Sequence, residues 1–465
     1  MTRLILVSNR VATDTATPPG GVAISLRATM RAHFGFWFGW NGEICRDSPP
    51  PVTFVTNGGV TCATIPLPER LYTRYYEGFS NSTLWPLLHD CLSAFRYDAI
   101  DYAGYLDVNN LFASKLAPLV QATDLIWVHD YHLIPLAERL RIHKIRNRIG
   151  YFLHAPFPPF ETLRALPNFD RFVTQLLEYD AIGFQTEISR QHFLDAIRAT
   201  CDGSLITRGN TIVTKERAVC TRVLPIGIDS NAVTQEADDT LRSGVVSRLM
   251  QSLQGTTLIL GVDRLDYSKG VVEKLNAYES LLETFPDLRS KVTLLQVSPF
   301  SRVKVEAYGR IRTAIEQAVG RINGRFATAD WTPIRYLNRD YPHSTLMGLM
   351  RVAKVCVVTA LKDGMNLVAK EYLGAQDLED PGVLVLSNRA GAAHELTDAL
   401  IINPYDVNSV AHSIYQAISM THAERCARHC RLRMQLEGRS IQRWHGEFLE
   451  LLREERGVNS QARSG

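Results

Sequence analysis

The chain has 465 residues, of which 45% are hydrophobic and 21% are charged, and its formal net charge is +3 at pH 7. Its length exceeds one typical hydrophobic core, so we expect two or more domains in an ordinary soluble globular protein. The small net charge gives no support for nucleic acid or an acidic membrane as a partner, because binding to either usually requires a strongly basic surface. Any phosphate site must therefore come from local placement of basic residues.

The N-terminal residues and the cysteines indicate a cytoplasmic protein. The opening MTRLILVSNR contains four consecutive apolar residues, fewer than the roughly seven that a signal peptide needs. No stretch of the sequence reaches the roughly 18 apolar residues that span a bilayer. The eight cysteines are scattered without the spacing of a disulfide framework, so we expect them to be reduced.

One cluster of histidines and cysteines has the spacing of possible metal ligands. The segment THAERCARHCR (421–431) places two histidines and two cysteines where a helix would bring some of them onto one face, as a zinc site would need. The arginines between them disfavour a cation, and short motifs of this kind often match by chance. We therefore expect no metal here or at HDYH (129–132), and no cofactor apart from the substrates.

Short apolar runs alternate with longer amphipathic stretches along the chain. Runs that are apolar on both faces and lie between helical stretches are typical of parallel strands covered by helices. We therefore expect an α/β protein with parallel sheets. The predicted strands, in chain order, are RLILVSN (3–9), LIWVHD (125–130), IGYFLH (149–154), AIGFQT (181–186), RVLPIGI (222–228), TTLILGV (256–262), VTLLQVS (292–298), VCVVTAL (355–361), GVLVLSN (382–388) and ALIINP (399–404).

A polar, charge-rich interval at 229–250 divides these strands into two groups of similar size. We place the domain boundary there, with one domain at 1–235 and the other at 236–465, and we expect the last helix to pack back on the first domain. Two doubly wound, Rossmann-like domains that face each other create a deep cleft. Ligands of such sheets bind beyond the carboxyl ends of the parallel strands.

Polar residues follow nearly every predicted strand, at the point where the chain leaves the carboxyl end of the strand (its exit). Arg10 comes after the first strand, and Gly20-Gly21 then open a helical stretch, where backbone amides could approach a diphosphate. An ordinary turn explains these glycines equally well. The exit segment GVDRLDYSKG (261–270) is either a solvated loop or an anion site formed by Arg264, Lys269 and the amides of the following helix.

The ordered set of motifs resembles one family of enzymes. The motifs are VSNR, GG, WFGW, FSNSTLWP, HDYHL, FLHAPFP, DRLDYSKG, RINGRF, DGMNLVAKEY and NPYD. Together they are similar to those of the trehalose-6-phosphate synthases, retaining glycosyltransferases with two Rossmann-like domains in the GT-B architecture. The resemblance implies transfer of glucose from a nucleotide-glucose, expected to be UDP-glucose, to glucose 6-phosphate.

The resemblance also implies a set of donor-binding residues. Arg264 and Lys269 would hold the diphosphate and stabilise the charge of the leaving group, a task that suits cationic side chains. Glu371 would bind the ribose hydroxyls with its carboxylate oxygens, and Tyr341 would contact the base. The implied donor-binding residues are Gly20, Gly21, Arg264, Lys269, Tyr341, Asp363, Gly364, Met365, Asn366, Leu367, Val368 and Glu371.

A second implied set binds the acceptor and serves catalysis. Arginines suit the phosphate of glucose 6-phosphate because each forms bidentate, charge-assisted contacts. Core packing is the alternative explanation for the aromatic members. The family is thought to use the donor phosphate as the base, so we expect no protein nucleophile. The acceptor residues are Arg10, Trp40, Tyr76, Trp85, Asp130 and Arg302, and the catalytic residues are Asp130, His154, Arg264 and Lys269.

Two alternative functions stay open at the level of sequence. A sister transferase could use another phosphorylated acceptor, as a glucosylglycerol-phosphate synthase or a pseudo-glycosyltransferase does. A catalytically silent sugar-phosphate sensor is disfavoured, because the diphosphate pair and the donor helix are intact. The predicted partners are small-molecule substrates and further copies of the chain in a homo-oligomer. The sequence does not determine the nucleotide of the donor.

Overall fold

The structure is a computed structural model, and its chain divides into two compact units. Unit 1 comprises residues 1–226 and 441–465, and unit 2 comprises residues 227–440. Among the described residues, no helix is long and apolar enough to cross a lipid bilayer. The residues that the structure describes are 2–11, 21–46, 49–201, 206–208, 211–214, 217–241, 244–253, 255–300, 302 and 305–454.

Unit 1 is built on one mixed sheet with the strand order β3-β4-β2-β1-β5-β6-β7-β10-β9-β8. The strands from β4 to β10 in this order pair in parallel, and antiparallel hairpins close both edges. The strands are β1 (Leu4–Arg10), β2 (Gly35–Cys45), β3 (Thr53–Asn57), β4 (Val60–Pro68), β5 (Leu125–His129), β6 (Ile149–Leu153), β7 (Ala181–Phe184), β8 (Ile206–Arg208), β9 (Thr211–Val213) and β10 (Ala218–Val223).

The helices of unit 1 connect these strands, and one of them has an unusual form. Between α2 and α3, residues Thr73–Leu84 form a π-helix, in which the Trp85 amide donates to the carbonyl of Ser80, five residues earlier. π-Helical segments are rare and occur frequently at functional sites. The helices are α1 (Gly21–Ala32), α2 (Glu69–Tyr72), α3 (Trp85–Leu88), α4 (Ala99–Leu116), α5 (Leu136–Ile142), α6 (Phe160–Leu163), α7 (Phe169–Leu176) and α8 (Glu187–Thr200).

Unit 2 contains a parallel sheet with helices between its strands. The strand order is β13-β12-β11-β14-β15-β16, which is the doubly wound order of a dinucleotide-binding fold. Its elements are α9 (Ser230–Leu241), α10 (Gly244–Leu253), β11 (Thr257–Val262), α11 (Val271–Thr284), β12 (Val292–Val297), α12 (Glu306–Phe326), β13 (Ile334–Leu337), α13 (His343–Val352), β14 (Val355–Val358), α14 (Leu367–Ala375), β15 (Val383–Ser387), β16 (Leu400–Ile402), α15 (Val407–Ser419) and α16 (His422–Glu437).

The last helix, α17 (Ile441–Arg453), belongs to unit 1. It packs on the central strands, where the rings of Trp127 and Phe448 stack with centroids 4.3 Å apart. A Cβ atom at Gly150 would lie 2.6 Å from the Phe448 ring, so a glycine is needed under this helix. Burial of such aromatic side chains is a large contribution to the core.

The switch point of the unit 2 sheet lies between β11 and β14, which are neighbours in the sheet but distant in sequence. Chain order reverses there, and a crevice opens at the strand ends. Gly270, after β11, has a φ of +63°, and a Cβ atom there would lie 2.1 Å from the Thr359 carbonyl oxygen, after β14. The two exit loops are also joined by the Leu361 amide, which donates to the Ser268 carbonyl at 2.8 Å. A glycine is therefore required where they meet.

The structure confirms the predicted α/β class with parallel sheets, but it corrects the predicted strand at 222–228. The strand there is β10, which ends at Val223. Pro225 has no amide hydrogen to donate to a ladder. The polar interval at 229–250 contains the helices α9 and α10. The predicted strands omitted β2, β3, β4, β8, β9 and β13.

Candidate active site

The switch point of unit 2 brings two predicted donor residues into contact. Lys269 follows β11 and Asp363 follows β14, and the Lys269 Nζ atom donates to the Asp363 Oδ2 atom at 2.6 Å. Both side chains are largely shielded, with 12% and 14% exposed. Two residues 94 positions apart in sequence thus form an ion pair at the position where this fold binds phosphates.

Arg264 lies in a loop whose flanking residues are fixed to the end of β12. The Asp263 amide donates to the Val297 carbonyl and the Leu265 amide to the Pro299 carbonyl, each at 3.0 Å. The buried side chain of Asp263 accepts a hydrogen bond from Lys274. The Arg264 side chain itself is exposed. A positioned guanidinium that reaches solvent is suited to an anionic ligand.

The segment after β14 forms the start of the donor helix. Asn366 has a φ of 85°, and its side chain caps α14 by accepting from the Ala369 amide at 3.0 Å. The Asn366 Nδ2 atom also donates to Asp363 at 3.1 Å. Below this loop, a Cβ atom at Gly391 would lie 2.0 Å from the Gly364 carbonyl oxygen. The backbone of the predicted donor loop is therefore held from both sides.

The remaining predicted donor residues lie around α14. Met365 is buried, Leu367 and Val368 form the first turn of the helix, and Tyr341 accepts hydrogen bonds from Arg339. Glu371, on the same helix, is 8% exposed.

The switch point of unit 1 lies between β1 and β5, and it also carries predicted residues. Arg10 ends β1 and is the register partner of Trp40 on β2. The Arg10 guanidinium carbon lies 5.8 Å from the centroid of the Trp40 ring, and a Cβ atom at Gly42 would lie 2.9 Å from the guanidinium. The rings of Trp40 and Tyr76 are 5.8 Å apart. The structure thus brings Arg10, Trp40 and Tyr76 together.

Asp130 and Trp85 are placed by neighbouring elements of unit 1. Asp130 follows β5 with a φ of 74°, an uncommon conformation for a side-chain-bearing residue. Its Oδ1 atom accepts from the amides of His154 and Ala155 at 3.3 and 3.4 Å. Trp85 is 7% exposed, and its ring lies 5.6 Å from that of Tyr131, the residue after Asp130.

His154 belongs to a buried hydrogen-bond chain that fixes its tautomer. The Ile226 amide donates to the Gln185 Oε1 atom at 2.9 Å, so the Gln185 Nε2 atom is the donor to the His154 Nδ1 atom at 3.4 Å. The neutral His154 ring then carries its proton on Nε2 and donates to the His129 Nδ1 atom at 3.1 Å. Burial lowers the pKa of His154 to about 3. Burial, together with His154, lowers the pKa of His129 well below 6.5.

The predicted acceptor residue Arg302 has a buried side chain in unit 2. Its NH1 atom donates to the Tyr308 hydroxyl at 2.5 Å and lies 3.6 Å from the Asp266 Oδ2 atom. Asp266 also caps the turn that carries Lys269, through the Ser268 amide at 2.9 Å. One fully buried carboxylate therefore connects Arg302 with the turn of Lys269.

Two further sequence predictions concern residues outside these clusters. Gly20 lies outside the described residues, whereas Gly21 is the first residue of α1. At the His-Cys segment, the Cys426 sulfur lies 3.5 Å from the His422 Nε2 atom. Within the described part of the chain, no three His, Cys, Asp or Glu side chains are grouped as metal ligands would be.

Sequence reasoning assigned no role to three residues that support these clusters. His129 and Gln185 hold His154, and His343 contacts Glu371. His129 carries a weak signal, because it is a polar residue at the end of an apolar run. Nothing in the local sequence around Gln185 or His343 indicates a role, since their partners come from distant elements.

Parallel strands with charged side chains at the switch points are typical of α/β proteins that bind nucleotide-type ligands at the strand ends. The chain belongs to glycosyltransferase family 20, whose family model matches residues 4–454.

Individual relatives match over nearly the full length. A trehalose-6-phosphate synthase from Klebsiella pneumoniae is 44% identical over 457 residues, which cover 97% of this chain and 95% of the relative. A crystal structure of the UDP-forming enzyme from Burkholderia xenovorans in complex with glucose-6-phosphate has a TM-score of 0.94 and 44% identity, covering 97% of this chain and 100% of that one. An E. coli structure bound with UDP-2-fluoro glucose has a TM-score of 0.92 and 42% identity, covering 98% and 100%.

The depressed pKa of His154 predicts a loss of stability in acid. The ring titrates near 6.5 when unfolded and near 3 when folded, so the stability that its neutral form contributes is present above pH 6.5 and is lost as the pH falls toward 3. Denaturant unfolding at pH 7.5, 6.5 and 5.5 measures this loss, which reaches about 1.4 kcal/mol per pH unit for one such group.

His154→Gln is expected to reduce that slope below pH 6.5. His143→Gln, at an exposed position, is the matched control and should leave the slope unchanged. Equal slopes for the wild type and His154→Gln would contradict the buried, neutral state of His154.

Proposed function

We propose that this chain is a retaining glucosyltransferase that transfers glucose from UDP-glucose to glucose 6-phosphate, with α,α-trehalose 6-phosphate and UDP as products. The relatives named above support this reaction through their names and their bound ligands. The observation that carries the proposal is the contact between Lys269 and Asp363 at the switch point of unit 2. It supports the proposal because a cation and the N-terminus of α14 lie at the strand ends, where folds of this type bind a diphosphate.

On the donor side, we propose that Lys269 and Arg264 stabilise the developing charge on UDP as the glycosidic bond to phosphate breaks. A preorganised cation needs little rearrangement during the reaction. The Lys269 ammonium group donates to Asp363, and the diphosphate would compete with Asp363 for it. The amides at the start of α14 add partial positive charge, and Glu371 accepts the ribose hydroxyls. Tyr341 contacts the uracil base of the donor.

On the acceptor side, we propose that Arg10 and Arg302 each bind the phosphate of glucose 6-phosphate. Arg10 is exposed and lies against Trp40, so its guanidinium is partly oriented without being neutralised by a carboxylate in that contact. Tyr76 and Trp85 supply aromatic surface for the sugar. Binding of a phosphate dianion to Arg302 would replace part of its present interaction with Asp266.

At the reacting carbon, the configuration is retained if the acceptor hydroxyl attacks from the face that the diphosphate leaves. The departing phosphate oxygen would take the proton of that hydroxyl, so the products are the disaccharide phosphate and protonated UDP. We propose that Asp130 and the neutral His154 orient the sugars. The cationic charge at the leaving group comes from Arg264 and Lys269, and we propose no metal cofactor.

The homo-oligomeric state and the cytoplasmic location remain predictions from the sequence.

The reaction is tested by incubating the purified protein with UDP-glucose and a panel of phosphorylated acceptors. Glucose 6-phosphate is expected to give a non-reducing disaccharide phosphate with both anomeric protons in the α configuration, identified by mass spectrometry and NMR. A product formed only with glycerol phosphate or with a pseudo-sugar acceptor would overturn the proposed acceptor.

Removal of either donor cation is expected to slow turnover. Lys269→Ala and Arg264→Ala should each lower kcat by roughly two to three decades, the scale for loss of one preorganised stabiliser of transition-state charge. Steady-state rates with saturating UDP-glucose and glucose 6-phosphate measure this effect. Lys291→Ala, at an exposed position of unit 2, is the control. Retention of more than half of kcat in both site variants would contradict the assignment.

Removal of the Arg302 guanidinium is expected to weaken acceptor binding specifically. Arg302→Gln should raise KM for glucose 6-phosphate by roughly tenfold or more, because a charge-assisted hydrogen bond contributes about 1.5 to 3 kcal/mol. KM for UDP-glucose and the rate with free glucose should change little. Arg310→Gln, at an exposed position of α12, controls for general effects. Equal use of glucose and glucose 6-phosphate by the wild type would refute the phosphate contact.

A further inference from the structure

His343, which the proposed mechanism does not use, lies between two carboxylates from different helices of unit 2. Its Nδ1 atom lies 2.7 Å from the Glu236 Oε2 atom on α9, and its Nε2 atom lies 3.4 Å from the Glu371 Oε1 atom on α14. The imidazole is 17% exposed, Glu371 is 11% exposed and Glu236 is 41% exposed. The imidazole ring therefore contacts both the more exposed carboxylate of Glu236 and the shielded carboxylate of Glu371.

The arrangement requires a charged imidazole. A carboxylate accepts hydrogen bonds but cannot donate them, so each ring nitrogen must carry a proton to satisfy its partner. Burial opposes this charge, but the hydrogen bonds to Glu236 and Glu371 outweigh burial and raise the pKa of His343 to about 10. The imidazolium is therefore the stable form throughout the neutral range.

The contact leaves Glu371 with one oriented oxygen and one free oxygen. His343 is the cation that contacts this carboxylate among the residues that the structure describes, and the contact engages Oε1. The neighbouring Lys370 is directed to Glu395 instead. A shielded carboxylate without such a partner is costly, and its plane would be less well defined. With Oε1 held, Oε2 is available to accept from a ligand hydroxyl.

We infer that His343 is a positioning residue that holds the Glu371 carboxylate for recognition of the donor ribose, and thereby selects ribonucleotide over deoxyribonucleotide sugars. This inference rests on the proposed function, in which Glu371 binds the ribose hydroxyls. A buried group made to hydrogen-bond a substrate hydroxyl discriminates strongly against the analogue that lacks it.

Charged groups on the surrounding elements have other partners. On α9, Asp238 pairs with Arg351 of α13, and Asp239 accepts from Gln235. In the loop before α13, Arg339 donates to Tyr341. Among these groups, the titration that bears on Glu371 is that of His343, which contacts it directly. Because the folded pKa of His343 is raised to about 10, the charged contact persists through the neutral range and is lost as the pH rises through about 10. The stability that it contributes to the fold is fully present below pH 6.5, the pKa of the unfolded ring.

The test compares UDP-glucose with its 2′-deoxyuridine counterpart as donors, each with glucose 6-phosphate as acceptor. His343→Gln is expected to raise KM for UDP-glucose roughly tenfold, the scale for one hydrogen bond to a charged group. KM for the deoxy donor should change less than about threefold, and kcat with either donor less than about twofold, because the contact acts on ribose binding. His343→Arg restores a cation with several donors and should recover most of the preference. His412→Gln, at an exposed position of α15, is the control.

Two further variants separate the possible failures. Glu371→Gln should abolish the ribose preference, and if it leaves the preference intact, both the ribose contact and the role of His343 are overturned. If Glu371→Gln abolishes it while His343→Gln retains it, only the inference about His343 is overturned. Equal losses with both donors in His343→Gln would also overturn it, since they indicate a structural role.

Glu236→Gln removes one carboxylate from the imidazolium, which should lower the pKa of His343. The alkaline rise in KM for UDP-glucose should therefore move to lower pH, whereas an unchanged pH profile would contradict the inference.

Discussion

The close approach of Gly270 to the Thr359 carbonyl is the constraint on which the donor half of this protein depends. It joins the loops that leave two neighbouring parallel strands, β11 and β14, and it tolerates no side chain at residue 270. Because the loops are joined, Lys269 and Asp363 meet, and the turn before Gly270 is fixed by the buried Asp266. The position of the proposed diphosphate site follows from this backbone contact, and the ion pair is its consequence.

A second feature of the candidate site is that three of its cations lie beside carboxylates. Lys269 pairs with Asp363, Arg302 lies beside Asp266, and His343 bridges Glu236 and Glu371. Such pairs orient long side chains before substrate arrives, which lowers the ordering cost of binding. In the proposed function, an incoming phosphate would replace one anion by another, so the net charge around Lys269 or Arg302 would change less than it would around a bare cation.

In unit 1 the corresponding constraint is the close packing of α17 and its aromatic side chains against the sheet. Gly150 allows α17 to lie against the sheet, and Trp444 of that helix packs with its ring 6.0 Å from His154. The histidine is therefore kept neutral by the last helix as well as by its hydrogen bonds, because desolvation disfavours the imidazolium. The backbone at Asp130, Arg302 and Asn366, each with a positive φ, adds local constraint at predicted site residues. No propensity of these residue types predicts that conformation from sequence with useful accuracy.

The sequence by itself determined the α/β class, most of the central strands and the helices that follow those strands. It also contained the motifs that identify the family. All of these depend on local patterns of apolar, glycine and charged residues. It did not determine the end of β10, where Pro225 interrupts a run that is apolar enough to continue. Only the tertiary structure decided which strand ends lie next to each other, and therefore that Lys269 pairs with Asp363. It also decided that Gln185 fixes the tautomer of His154 and that His343 contacts Glu371. The physical reason is that strand order and helix packing bring together residues far apart in the chain, and no local pattern encodes those distances.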